Sequence, residues 1–160
     1  MLRFHSYTDA HAPYFDAINR QWITEMFVLE AIDEQVISDP ATYVIAPGGH
    51  IWFAEHPDLG IVGTCALMKK SPGVFELTKM GVVGTARGLK VGEALLQHVL
   101  SQAPSIAYNT LFLLTNRKCE AAIHLYEKLG FSHCPDIMQR FGAAYERCDV
   151  AMRYTTPKTA

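Results

Sequence analysis

The chain has 160 residues, of which 49% are hydrophobic and 19% charged, with a formal net charge of -2. That length supports one domain with a real core, and the composition is that of a globular rather than a disordered protein. No basic block stands out, no apolar run approaches the ~20 residues of a membrane span, and Met1-Leu2-Arg3-Phe4-His5-Ser6 lacks a signal-peptide core, so nucleic-acid and membrane partners are set aside and a cytoplasmic protein is expected.

In chain order, residues 2–7 read as a short strand ended by Thr8-Asp9. Asp9 can cap a helix running to about residue 27, with Pro13 near its start and Ile18, Trp22 and Met26 on one face. A second short helix is expected near residues 31–37, stopped by Asp39-Pro40. Glu30, Asp33 and Glu34 open it. They either complement the helix dipole or line a site that attracts a cationic amine, which makes Glu30 and Asp33 substrate-binding candidates. Strands follow at 51–55, 61–69 and 74–83, separated by His56-Pro57-Asp58-Leu59-Gly60 and Ser71-Pro72-Gly73. Short turn clusters between strand-like runs argue for antiparallel neighbours.

The stretch from Met80 to Leu96 reads as a strand end, a tight glycine loop and the opening of a helix. Gly84, Gly88 and Gly92 punctuate the loop, and Val91, Leu95 and Val99 form the apolar stripe of a helix that runs to about residue 102, before Pro104. A helix N-terminus carries unpaired N–H groups and partial positive charge, so a glycine loop feeding it is a place for phosphate. The loop is neither a P-loop nor a Gly-x-Gly-x-x-Gly dinucleotide turn. Leu111-Phe112-Leu113-Leu114 is a continuous apolar run, as in a central strand covered on both faces, and its crossover from the previous strand predicts parallel pairing. A further helix is expected over 119–129, stopped by Gly130, then strands at 131–134 and 148–154 with a loop between them that holds Gly142, Tyr145 and Arg147. Residues 1–154 form one domain, and 155–160 read as a polar, disordered tail.

The four cysteines, Cys65, Cys119, Cys134 and Cys148, contain no Cys-x-x-Cys pair, and the seven histidines no His-x-x-x-His spacing. Neither a disulfide framework nor a metal site is expected.

Two motifs carry a family resemblance. Arg87-Gly88-Leu89-Lys90-Val91-Gly92 resembles the Arg/Gln-x-x-Gly-x-Gly/Ala motif of the GCN5-related N-acetyltransferases, with Lys90 in place of the first motif glycine. Ala122-Ile123-His124-Leu125-Tyr126-Glu127-Lys128-Leu129-Gly130-Phe131 resembles that family's Ala-x-x-Leu-Tyr-x-x-x-Gly-Phe segment. The resemblance implies a single-domain α/β (α+β) acyl-CoA N-acyltransferase fold: a mixed, mostly antiparallel sheet of about seven strands with helices on both faces, whose middle strands splay apart around acetyl-CoA. It also implies the cofactor contacts. Main-chain groups of Met80, Gly81, Val82 and Val83 would hold the acetyl–pantetheine arm, and the loop from Arg87 through Gly88, Leu89, Lys90, Val91, Gly92 and Glu93 to Ala94 the diphosphate. Asn116, Cys119, Ala122 and Tyr126 would meet the arm from the second helix. Cys119 stands where many members carry asparagine, and Asn116 is expected to take over that polar contact.

Acetyl transfer to an amine needs a neutral amine, a stabilised oxyanion and a proton for the departing thiolate. With both substrates held together no nucleophilic side chain is required, since proximity alone supplies ~7 kcal/mol or more. The resemblance makes Tyr126 the acid and Glu76 the base; on spacing alone Tyr126 is equally a core tyrosine, and Glu76 a residue paired across the sheet. Glu76, Thr78, Met80 and Val82 share one face of a regular strand, with Lys79 on the other. The acceptor is expected to be a small amine or amino-acid-like molecule. A peptide acceptor, or a degenerate acyl-CoA-binding module without turnover, is the alternative. Dimers are common in the family, although no sequence feature here marks a homodimer.

Overall fold

The computed structural model describes residues 1–155. The expected tail lies outside these, except Thr155, whose N–H donates to the Gly130 carbonyl at 2.8 Å. Strand β1 (Arg3–Ser6) leads through a 3-10 turn into α1 (Ala12–Met26), then α2 (Ala31–Ser38) and a single π turn at Ala41–Ile45. The meander β2 (His50–His56), β3 (Gly60–Ser71) and β4 (Val74–Val82) follows, and then α3 (Val91–Gln102), β5 (Thr110–Thr115), α4 (Glu120–Lys128) and β6 (Phe131–His133). A helix α5 (Pro135–Phe141) and β7 (Val150–Tyr154) close the chain.

One seven-stranded sheet forms, in the order β1-β2-β3-β4-β5-β7-β6. Every neighbouring pair is antiparallel except β4 and β5, the pair joined by the α3 crossover. The mixed, mostly antiparallel sheet therefore has the expected form. Its two faces are buried by different elements. Leu95, Leu96 and Val99 of α3 and Tyr126 of α4 pack on Val62, Leu67, Leu77 and Leu113. On the opposite face Phe15 of α1 and Val36 and Ile37 of α2 pack on Ile51, Phe53 and Ala66, and Ile137 of α5 packs on Phe112 and Ala151. Burial on both faces explains why β2 and β5 are apolar without alternation.

Three expectations are corrected. The apolar stripe of α1 is Phe15, Ile18 and Ile23, and Met26 is exposed. The loop before β7 contains α5, a seven-residue helix with Pro135 at its first position. And β4 is not regular. Thr64 pairs with Gly81 but Ala66 pairs with Thr78, so two steps of β3 face three of β4. The extra residue is a β-bulge, and within it Lys79 has φ 52°. The bulge resets the alternation. Phe75 and Leu77 before it, and Met80 and Val82 after it, all pack on the α3/α4 side. Glu76 pairs with Met68, which packs on the α1/α2 side, and Lys79 reaches Asp33 of α2. Glu76 and Lys79 thus share a face from which Met80 and Val82 are excluded.

Candidate active site

The ladder between β4 and β5 runs only from Val74↔Thr110 to Leu77↔Leu113. Beyond Leu77 the strands part, although β4 continues to Val82 and β5 to Thr115. The bulge lies where they separate, bending β4 away from its neighbour. The edge of β4 from Thr78 onward is left without a ladder partner on that side, and the gap is a cleft with about 550 Å³ of empty space. Thr78, Lys79 and Met80 line one side, Leu114, Thr115 and Asn116 another, and Cys119 and Tyr126 enter from α4. Trp22, Phe27, Tyr145, Arg147 and Cys148 close the acceptor end.

The loop into α3 lies beside Met80 of the cleft wall. Lys90 precedes the helix with φ 57° and ψ 28°, the left-handed conformation that a glycine would adopt, and makes no side-chain cap. The N–H groups of Val91, Gly92 and Glu93 therefore have no acceptor within the helix, while the Ala94 N–H donates to the Lys90 carbonyl at 3.2 Å. A Cβ built on Gly92 would sit at ordinary contact distance, 3.6 to 3.9 Å, from Met80, Leu125 and Val82, so a longer side chain there would press on these three, and Met80 is on the cleft wall. Gly88 has positive φ and Leu89 is exposed. Arg87 and Glu93 are tied to neighbouring helices, Arg87 to Glu25 of α1 at 3.1 Å and Glu93 to Lys128 of α4 at 2.6 Å. Val83 donates its N–H to Val62, and Ala122 packs against the core. At Gly81 a Cβ would come within 2.4 Å of the Trp22 ring.

Tyr126 is 9% exposed and lines the cleft, and among the described residues its hydroxyl has no hydrogen-bond partner. Burial raises its pKa, with the thiols of Cys65 and Cys119 adding to the effect, so it is protonated throughout the neutral range. An uncapped helix start, an unpaired strand edge and an unpartnered hydroxyl on the cleft wall together fit a thioester cofactor with an anionic diphosphate.

The acceptor end is built on one buried carboxylate. Asp33 is fully buried and takes two hydrogen bonds from Arg147, at 2.6 and 2.8 Å, and an ion pair from Lys79 at 3.0 Å. Glu30 accepts from Arg147 at 3.0 Å and from the Glu146 N–H at 2.9 Å. Burial alone would raise the Asp33 carboxyl, but Arg147 and Lys79 outweigh it and hold the pKa below its ordinary value. The Lys79 ammonium donates to the Tyr145 hydroxyl at 3.3 Å, and the Arg147 guanidinium stands 4.9 Å from the Tyr145 ring centre. Glu30 and Asp33 were expected to face a cationic amine. Instead both are consumed by Arg147 and Lys79, and the charged groups on the cleft wall are those two cations.

Glu76 is 1% exposed, does not line the cleft, and its Oε1 has no hydrogen bond, with Lys70 3.6 Å away. Burial raises its pKa, and Lys70 and Lys79 only partly offset this. Asn116 has both ends of its amide engaged. It donates to the Arg147 carbonyl at 2.7 Å and accepts from the Lys118 N–H at 2.9 Å, so it braces the Arg147 loop in place of the expected cofactor contact. Lys79, Tyr145 and Arg147 are the cleft residues that the sequence did not single out. A salt-bridged lysine in a strand and a loop with a tyrosine and an arginine carry no spacing signal of their own.

Comparison with known proteins gives the family. Residues 47–133, more than half of the chain, match the acetyltransferase (GNAT) domain model. N-acetylaspartate synthetase of Xenopus tropicalis is 37% identical over 93 residues, 57% of this chain and 34% of that protein. The uncharacterized N-acetyltransferase YjgM of Escherichia coli (strain K12) is 30% identical over 89 residues, 54% of this chain and 53% of that protein. The chain thus spans about a third to a half of the curated relatives it matches. A GNAT-family acetyltransferase from Staphylococcus aureus Mu50 superposes with a TM-score of 0.83 at 20% identity, covering 96% of this chain and 98% of that one. The two motifs, the splayed strands and the match over residues 47–133 lead to one assignment: the chain belongs to the GNAT acetyltransferase family.

Proposed function

We propose that the protein transfers the acetyl group of acetyl-CoA to the primary amine of a small acceptor carrying a carboxylate, by direct attack. The observation that carries the transfer is Tyr126, a largely buried tyrosine on the lining of the gap between β4 and β5 whose hydroxyl has no hydrogen-bond partner among the described residues. Acetyl-CoA supplies an activated thioester and a thiol leaving group. The uncapped N–H groups of Val91, Gly92 and Glu93 bind its diphosphate, and the unpaired β4 edge orients its arm. Tyr126, held neutral by burial, donates a proton where the thiolate departs. Glu76 lies behind the wall and receives the amine's proton through an intervening water, its burial raising its basicity toward neutral pH. The reading is supported by the activity for which N-acetylaspartate synthetase is named and by an N-acetylglutamate synthase of Neisseria gonorrhoeae solved with coenzyme A and N-acetyl-glutamate, which is 18% identical with a TM-score of 0.67, covering 96% of this chain and 35% of that one.

The carboxylate requirement rests on the lining. Lys79 and Arg147 face the cleft while Asp33 and Glu30 stand behind them, so an anionic group on the acceptor meets cations first. Release of CoA thiol, measured across amino acids, polyamines and short peptides, tests this. Turnover with acidic or neutral amino acids and little with spermidine is expected. A preference for spermidine refutes the carboxylate. Binding of acetyl-CoA without release toward any amine favours the non-catalytic module.

A further inference from the structure

The Cys119 thiol has no part in direct acetyl transfer, yet it stands on the wall of the same cleft as Tyr126. The two are seven residues apart at the start and near the end of α4. Seven residues are nearly two full turns, so both side chains leave the same face, separated by about 10.5 Å of rise. Helical side chains lean back toward the N-terminus. The long tyrosine ring therefore carries its hydroxyl toward the first turn, where Cys119 is the residue before Glu120. Of the other thiols, Cys65 is fully buried, and burial pushes Cys148 up to about 12, which suppresses its thiolate. Cys134 is half-buried and lies in a separate apolar recess beside α5.

From this geometry we infer that Cys119 is a thiol–disulfide exchange site for coenzyme A, at which the cleft becomes covalently blocked. The inference rests on the assignment of the cleft to acetyl-CoA. If Tyr126 serves the sulfur of the bound thioester, the same hydroxyl aims a CoA sulfur at the opening of α4, beside Cys119. The co-reactant is a disulfide of CoA. The Cys119 thiolate attacks one sulfur of that disulfide, the S–S bond of the disulfide breaks, and a new S–S bond joins Cys119 to CoA. The released CoA thiolate takes up the proton that Cys119 gave up, so no further oxidant is needed. The tethered CoA occupies the place of acetyl-CoA, and a dithiol reverses the block. The unpartnered Tyr126 hydroxyl is the independent mark of a ligand at this spot.

The test incubates the full chain with CoA disulfide and reads intact mass and peptide maps. Calorimetry with CoA under reducing conditions runs in parallel. The expected adduct is one CoA on Cys119, formed on the order of 100-fold faster than on Cys134 because the cleft holds the disulfide in place. It should be suppressed by desulfo-CoA, which fills the cleft without a sulfur, and removed by dithiothreitol. Glutathione disulfide, which has no nucleotide for the α3 loop, should label Cys119 no faster than Cys134. Cys119→Ser, shown to be folded by circular dichroism, should lose the adduct. If CoA binds by calorimetry but Cys119 stays unlabelled, or labels no faster than Cys134, the inference is overturned while the cofactor assignment stands. If CoA does not bind at all, both fall.

Discussion

Two residues allow sharp tests because single atoms or angles separate the readings. Tyr126→Phe removes one oxygen and keeps the ring that packs edge-on against Phe131, with centroids 5.8 Å apart. If the hydroxyl protonates the departing thiolate, turnover falls about 10- to 1000-fold with acetyl-CoA affinity nearly unchanged; full turnover would make it a core tyrosine. Lys90 is strained by its left-handed backbone. Lys90→Gly should raise Tm by about 2 °C by relieving roughly 1 kcal/mol, and weaken acetyl-CoA binding more at low salt than at high salt, since a charge beside the diphosphate is lost. Lys90→Ala loses the charge but keeps the strain, so equal Tm values for the two variants would refute the strain argument. At this scale the cleft position of Tyr126 was legible because its motif is ten consecutive residues, Ala122 to Phe131, running from α4 into β6. Lys79 was not, because its role comes from a positive φ that no lysine sequence announces. Asp33 was read as a helix-dipole partner or an amine-site carboxylate because its partner Arg147 is 114 residues away.

Among elements, the β4–α3 unit carries the cofactor half of the site, and its loop and helix were legible from glycine spacing and the apolar stripe of α3. Gly92→Glu tests it. A glutamate would press on Met80, Val82 and Leu125 and set a negative charge among the uncapped N–H groups. Acetyl-CoA affinity should fall by at least about tenfold, roughly 1.4 kcal/mol, in a protein whose circular dichroism matches the parent; unchanged affinity would remove the loop from the site. The β4 bulge was not legible, since no glycine or proline marks residue 79 and alternation alone continues the strand. Its consequence was large, because it moved Met80 and Val82 to the face opposite Glu76. The seven-residue α5 was hidden for another reason. Cys134-Pro135 reads as a strand end and turn, and Ile137, Met138 and Phe141 are too few to set a period.

Across the whole molecule, Asp33 joins three distant parts: α2, the bulged strand β4 through Lys79, and the segment before β7 through Arg147. These parts close one end of the cleft, so under the proposed function stability and acceptor binding would share one buried charge cluster. Asp33→Asn keeps the shape but leaves Lys79 without its paired carboxylate and Arg147 with Glu30 alone. Breaking a buried pair in this way costs about 3–5 kcal/mol, or roughly 10 °C in Tm for a chain of this size. Adding Lys79→Met to Asp33→Asn removes one stranded charge and should recover part of the loss, which a mere packing defect at Asp33 would not allow. The pH dependence has a definite sign. The folded pKa of Asp33 lies below the unfolded value of about 3.9, so its contribution is complete above that value and is lost as pH falls through the folded pKa. Thermal melts of parent and Asp33→Asn should therefore differ by a constant amount from pH 5 to pH 7 and converge in more acidic buffer. A gap that stays constant into that acid range would mean that Asp33 acts through its shape, and the cluster would not be what holds the acceptor end closed.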